Sequence, residues 1–115
     1  MKWIILSQEN QLQNLISRSA EVPCMIFKHS TTCSISLIAK NRLETGWDFE
    51  ASNPECYYID VKASRALSLM IADTFQVQHE SPQVLLIAKG ECVYDNSHLD
   101  ISTEELKEAL SEGMV

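Results

Sequence analysis

The chain has 115 residues, a formal net charge of −7 from 9 basic and 16 acidic residues, and 45% hydrophobic residues. That length predicts one domain over 1–115 with its own core, and the hydrophobic content excludes a disordered chain. The acidic balance argues against nucleic acid or an anionic membrane as the main partner. The apolar start "MKWIIL" is too short for a signal peptide or a membrane span, so we expect a cytoplasmic protein with reduced thiols.

The first third of the chain predicts a strand, a helix and a second strand. Residues 2–6 form the short first strand, and Ser7 is expected to cap a helix over Gln8–Ser19. The segment "CMIFKHS", Cys24–Ser30, is apolar on both faces at its start, which predicts a strand in the middle of a sheet.

A second helix is predicted from Cys33 to about Gly46. Its apolar face would consist of Ile35, Ile38, Ala39 and Leu43. Asn53-Pro54 then predicts a turn, and "CYYIDV", Cys56–Val61, is rich in residues that favour strands.

The last part predicts a helix, a hairpin and a final helix. Ser64 opens the first helix, whose inward residues would be Leu67, Met70, Ile71 and Phe75. Two β-rich runs flank Lys89-Gly90, which is typical of an antiparallel hairpin. Ser102 and Glu105 have the spacing of a capping box, supported by a hydrophobic staple of Ile101 and Leu106.

The predicted order is therefore β-α-β-α-β-α-β-β-α. Strands that alternate with helices indicate an α/β fold with parallel strands and right-handed crossovers, and the hairpin adds an antiparallel edge. We find no repeat or linker that would divide the chain.

Cys33 is the strongest candidate for chemistry, because it lies at the predicted junction of a strand and a helix. Unpaired N–H groups and the helix dipole at such a junction favour a thiolate, which attacks disulfides. Its polar neighbours Thr31, Thr32 and Ser34 are candidates for contacts with a substrate. The alternative is a structural role, since cysteine is among the most often buried residues.

Ser36 stands where a second thiol would complete Cys-x-x-Cys. One turn into the helix, its hydroxyl could donate a hydrogen bond to the sulfur of Cys33. Because serine cannot resolve a mixed disulfide, this pair predicts a monothiol mechanism, in which Cys33 takes up a thiol adduct and an external thiol releases it.

Ser81-Pro82 is a second candidate element of the site. It precedes the strand "QVLLIA", and a cis peptide bond there would offer backbone groups to a thiol-containing peptide. A simple turn proline is the interpretation that the sequence alone favours.

Two residues before Cys33 could influence its thiolate. His29, if protonated, would stabilise a thiolate, but it shares a strand face with Met25 and Phe27 and is more simply a core histidine. Lys28 points the other way, either as a cationic neighbour of the site or as a side chain that reaches solvent. His79 is predicted to lie in a loop.

The other thiols have no pattern that predicts a metal site. Cys24, Cys56 and Cys92 lie on or beside predicted strands and are interpreted as packing residues. No Cys-x-x-Cys pair and no nucleotide-binding motif is present, so we expect neither a metal nor a resident cofactor.

The motif and element order resemble those of a known family. A strand, Cys-x-x-Ser, a helix and a later Ser-Pro before a hairpin resemble the thioredoxin fold over nearly the whole chain. More narrowly, "IFKHSTTCSIS" is similar to the Lys-His-Ser-Thr-x-Cys-x-x-Ser segment of the YtxJ-type monothiol bacilliredoxin-like proteins of the bacillithiol system, and "VLLIAKGECVYDNSH" resembles their final hairpin.

This resemblance implies removal of bacillithiol from protein mixed disulfides. Cys33 would take over the bacillithiol, and free bacillithiol, a co-substrate and not a bound cofactor, would regenerate it; bacillithiolated proteins would be the partners. One alternative is a monothiol glutaredoxin-like protein that uses glutathione or shares an iron–sulfur cluster in a dimer. Another is a thioredoxin-fold binding module without turnover.

Overall fold

A computed structural model describes residues 1–47 and 54–113. In chain order the elements are β1 (Trp3–Ile5), α1 (Glu9–Arg18), β2 (Cys24–His29), α2 (Ser34–Thr45), β3 (Glu55–Asp60), α3 (Arg65–Phe75), β4 (Gln83–Ala88), β5 (Glu91–Ser97), a 3₁₀ turn (His98–Asp100) and α4 (Thr103–Gly113). The predicted order is confirmed, and the 3₁₀ turn is an addition to it. Asn53 of the predicted turn lies outside the described residues.

The strands form one sheet in the order β1-β3-β2-β4-β5, so β2 is central, as predicted. It pairs in parallel with β3 and antiparallel with β4. The carboxyl ends of β2 and β3 therefore lie beside the amino end of β4. We call this the thiol edge of the sheet; it consists of residues 30–33, 61–64 and 79–82.

Helices cover both faces of the sheet. On one face α1 and α3 bury Leu12, Leu15, Leu67, Ile71 and Phe75. On the other, α2 and α4 bury Ala39, Leu43 and Leu106. All six residues of β2 are buried, because this strand has a core on each face. The thiol edge thus starts at the end of a strand that is buried on both faces.

Two tight local structures fix the ends of these elements. Lys89 and Gly90 both have left-handed backbone angles, φ 53° and 77°, which makes the predicted hairpin turn. At the start of α4 the Glu105 N–H donates to Ser102 Oγ at 3.2 Å, and Ile101 and Leu106 are buried as a staple.

Three expectations need correction. The N-cap of α1 is Gln8, not Ser7, because the side-chain oxygen of Gln11 accepts hydrogen bonds from the backbone N–H groups of Ser7 and Gln8. The Glu105 carboxylate accepts from Tyr94 and Asn96 on β5, which draws it away from the cap.

The third correction concerns α2. Ile35 and Ile38 are 41% and 49% exposed, and the buried residues of this helix are Ser36, Ala39 and Leu43.

Candidate functional site

Cys33 is the N-cap residue of α2 and is half-buried. Its backbone is extended, and its carbonyl accepts the Leu37 N–H at 3.1 Å, the first bond of the helix. The N–H groups of the first turn have no acceptor within the helix, so they face the end that carries the thiol. The predicted junction of strand and helix is confirmed.

Ser36 lies one turn further on and is fully buried. Its Oγ is 2.6 Å from His29 Nδ1 and accepts the Ser30 N–H at 3.0 Å. The expected hydrogen bond to Cys33 is not formed in this structure, because the hydroxyl is engaged with His29 and Ser30 instead. Ser36 therefore ties the first turn of α2 to the end of β2.

His29 is 2% exposed and belongs to the core, as the sequence favoured. Its ring stacks on Phe27 with centroids 5.5 Å apart and lies 5.4 Å from the ring of Tyr58. Burial lowers the pKa of His29, which favours the neutral imidazole. A core histidine is thus joined by one hydrogen bond to the residue that stands in the second-thiol position.

Lys28 is fully buried on the opposite face of β2, which rules out a side chain that reaches solvent. Its Nζ is 3.0 Å from Nδ1 of His79, in the loop before Pro82. Burial lowers the pKa of Lys28 to about 8. This contact fastens the loop before Pro82 to the central strand.

The polar residues around Cys33 occupy different positions. Thr31, Thr32 and Ser34 are exposed. Thr32 Oγ1 accepts a hydrogen bond from Lys62 Nζ at 3.0 Å, which links the Cys33 loop to the loop after β3. Sequence reasoning did not select Lys62, although its position just after a parallel strand places it at the thiol edge.

Ser81-Pro82 also lies at the thiol edge, because Lys28 pairs with Gln83 in the sheet. The peptide bond is cis, so the alternative that the sequence disfavoured is the observed one. The Pro82 carbonyl accepts the His98 N–H at 2.9 Å. Ser81 Oγ is buried without a hydrogen-bond partner in the described part of the chain.

The other three thiols differ from Cys33 in their surroundings. Burial raises the pKa of Cys24 to about 11 and that of Cys56 to about 12. Cys92 is half-buried on β5, where burial and then Asp95 raise its pKa to about 11. At neutral pH these thiols are protonated, and a protonated thiol is a poor nucleophile.

Within residues 1–47 and 54–113, no three His, Cys, Asp or Glu side chains are grouped closely enough to hold a metal ion. In the same part of the chain, no helix combines the length and the apolar character that crossing a membrane requires.

The family model for the monothiol bacilliredoxin BrxC matches residues 4–106. The chain belongs to the monothiol bacilliredoxin family. The resemblance to this family is thereby confirmed, and the match covers all of the thiol edge. A thiol redox function follows for this bacilliredoxin at the level of its family.

Solved structures agree with the fold. One is a thioredoxin-fold protein proposed to be an oxidoreductase, with 32% identity, 94% coverage of this chain, 93% coverage of that chain and a TM-score of 0.77. A mutant thioredoxin from Halobacterium salinarum is 19% identical, with 96% and 89% coverage and a TM-score of 0.73. Fasciola hepatica thioredoxin is 17% identical, with 94% and 96% coverage and a TM-score of 0.71. The two thioredoxins support the fold alone.

Proposed function

We propose that this bacilliredoxin removes bacillithiol from protein mixed disulfides through Cys33. The observation that carries the proposal is the pairing of a half-exposed thiol at a helix N-terminus with a buried serine three residues later. Such a site can form a mixed disulfide but has no neighbouring thiol to break it. The role of bacillithiol itself comes from the family.

The reaction consists of two exchanges. In the first, the Cys33 thiolate attacks the bacillithiol sulfur of the mixed disulfide, and the protein substrate leaves as its own thiolate. In the second, the thiolate of free bacillithiol attacks the bacillithiol sulfur of the adduct on Cys33. The electron pair of the broken S–S bond returns to Cys33, and bacillithiol disulfide is released. The cycle needs no resident cofactor and suits the reducing cytoplasm.

The cis Ser81-Pro82 segment and the exposed Thr31, Thr32 and Ser34 are the groups that we assign to substrate contacts. They lie at the thiol edge with Cys33, where the Thr31, Thr32 and Ser34 side chains are exposed. Extended peptide segments near a reacting sulfur can bond to such backbone and hydroxyl groups.

The test is intact-mass spectrometry after the reduced protein is mixed with a bacillithiolated model protein. We expect one bacillithiol on the wild type, none on Cys33→Ser, and loss of the adduct after a wash with free bacillithiol. A parallel wash with glutathione tests the glutathione alternative. An adduct that forms equally on Cys33→Ser would exclude Cys33 as the nucleophile, and no adduct on either protein would favour the binding module.

Ser36→Cys provides a second arm of the same experiment. A thiol one turn after Cys33 should attack the adduct, release bacillithiol without any external thiol and leave an intramolecular disulfide. The mass of the variant then falls by two hydrogen atoms and no adduct accumulates. A stable adduct on this variant would show that the buried position of Ser36 cannot reach the sulfur of Cys33.

A further inference from the structure

The Ser36 hydroxyl can serve only a limited number of partners at once. It has one proton and two lone pairs, and the Ser30 N–H occupies one lone pair at 3.0 Å. The second lone pair and the proton remain, and His29 Nδ1 at 2.6 Å can engage only one of the two. Both residues are buried, at 2% exposure or less, so water does not compete for these bonds.

Two arrangements satisfy this geometry. When Nδ1 of His29 is bare, the Ser36 hydroxyl donates to it and has no proton left for another acceptor. When Nδ1 carries a proton, it donates to Ser36 Oγ and fills the second lone pair. The Ser36 proton must then point elsewhere, and Cys33 lies one turn back along the same helix.

We propose that His29 acts through Ser36 as a positioning residue, directing the Ser36 proton either to its own Nδ1 or to the sulfur of Cys33. The inference rests on the proposed function, because it concerns the step in which Cys33 leaves its mixed disulfide. Rotation of the half-exposed Cys33 side chain between staggered rotamers is the movement that this step requires.

The consequence for the reaction is a donor that is available when negative charge returns to Cys33. As the S–S bond breaks, its electron pair goes to the Cys33 sulfur, and a hydrogen bond from Ser36 stabilises that thiolate. A hydrogen bond to a charged group should raise the rate of this step roughly tenfold or more. The same bond makes the thiolate a weaker nucleophile, so its benefit belongs to release.

The charges around His29 set the pH at which the arrangement changes. Burial lowers the pKa of His29 and Lys40 lowers it further, whereas Asp60 and Glu44 oppose this shift. The other groups against the ring are Phe27 and Tyr58. Because the pKa of His29 is lowered, its ring is protonated only at a pH below the ordinary histidine pKa. A protonated ring always carries a proton on Nδ1, so the Ser36 proton should be fully available to Cys33 only in acid.

The experiment follows release of β-mercaptoethanol from a Cys33 mixed disulfide by free β-mercaptoethanol, measured as adduct-free protein by mass. Four proteins are compared: wild type, Ser36→Ala, His29→Phe and the double variant. Each rate is taken relative to the Ser36→Ala counterpart at the same pH, so that ionisation of the attacking thiol cancels. A small thiol is used so that the result does not depend on bacillithiol.

With His29 present, Ser36→Ala should slow release less than about twofold near pH 8 and roughly tenfold at the acid pH at which His29 is protonated. In the His29→Phe background the hydroxyl is never held by an imidazole, so the cost should be the same at both pH values. A cost of Ser36→Ala that does not change with pH in the wild-type background overturns the proposal. So does a pH-dependent cost that survives in His29→Phe.

Two further results separate failure of the proposed function from failure of the role of His29. If no β-mercaptoethanol adduct forms at Cys33 at all, the proposed function fails and not only the role of His29. If His29→Phe does not fold, long-range ¹H–¹⁵N NMR of the wild type gives the protonation of Nδ1 directly. The cost of Ser36→Ala must then rise with the population of protonated Nδ1, and absence of that correlation rejects the proposal.

Discussion

Lys28 and His29 are neighbours at the end of β2, both are buried, and each is within hydrogen-bond distance of one side chain, yet they lie on opposite faces of the sheet. His29 is a neutral ring between aromatic side chains, with a hydroxyl as its partner. Lys28 is a desolvated cation whose hydrogen-bond partner is another titratable base. Burial therefore costs more at Lys28 than at His29, since only the neutral ring avoids the cost of desolvating a charge.

The largest expected effect is on the His29 side. His29→Ala removes a stacked buried ring and leaves Ser36 without its partner, so we expect the free energy of unfolding to fall by about 3 kcal/mol. His29→Phe keeps the ring volume and should cost only about 1 kcal/mol. Urea unfolding at neutral pH measures both. Equal losses in the two variants would mean that ring packing contributes little there.

Lys28→Met should raise the free energy of unfolding, whereas the His29 substitutions should lower it. Burial lowers the pKa of Lys28 to about 8 in the folded protein, whereas an unfolded lysine has a pKa of about 10.4. The folded chain thus binds fewer protons between these values, and the stability of the wild type should rise with pH across this window, by an amount on the order of 3 kcal/mol.

Because methionine keeps the volume and removes the charge, Lys28→Met should be more stable than the wild type by about 2 kcal/mol at pH 7. Above about pH 10.5 the gain should vanish or reverse, since only the lost contact with His79 remains. Urea unfolding over the pH range tests this, with Lys2→Met as the matched control at an exposed position. A pH-independent difference between Lys28→Met and wild type would contradict the account.

The smallest expected effect concerns the contact between Lys28 and His79. His79→Ala removes the partner of Lys28 and should cost about 1–2 kcal/mol in the wild type but less than about half of that in the Lys28→Met background. A double-mutant cycle by thermal or urea unfolding gives the coupling energy. Additive losses would show that the 3.0 Å contact does not anchor the loop before Pro82.

Much of the fold could be predicted because its signals are local. The unbroken apolar start of "CMIFKHS" indicated a strand buried on both faces, and the apolar spacing after Cys33 indicated a helix that begins there. The Lys89-Gly90 turn and the Ser102 cap follow from the residues that such structures require. These signals were sufficient to place Cys33 at the junction.

The interior of the site was not predictable in the same way. Helix α2 has apolar residues on more than one face, so periodicity selected Ile35 and Ile38, whereas the helix buries Ser36. That choice depends on the contact of Ser36 with His29 at the end of β2 and on the hydrogen bond that Ser36 Oγ accepts from the N–H of Ser30. The contact of Lys28 with His79 joins residues 51 positions apart and has no local sequence signal.

The central claim is that Cys33 is the reactive thiol of this bacilliredoxin, and site-resolved alkylation tests it most directly. The native, reduced protein is treated with iodoacetamide at neutral pH, and the four thiols are followed over time by peptide mapping. We expect Cys33 to react at least about 100-fold faster than Cys24, Cys56 and Cys92, whose thiols burial keeps protonated. Alkylation of Cys92 at a rate equal to that of Cys33 would contradict the account.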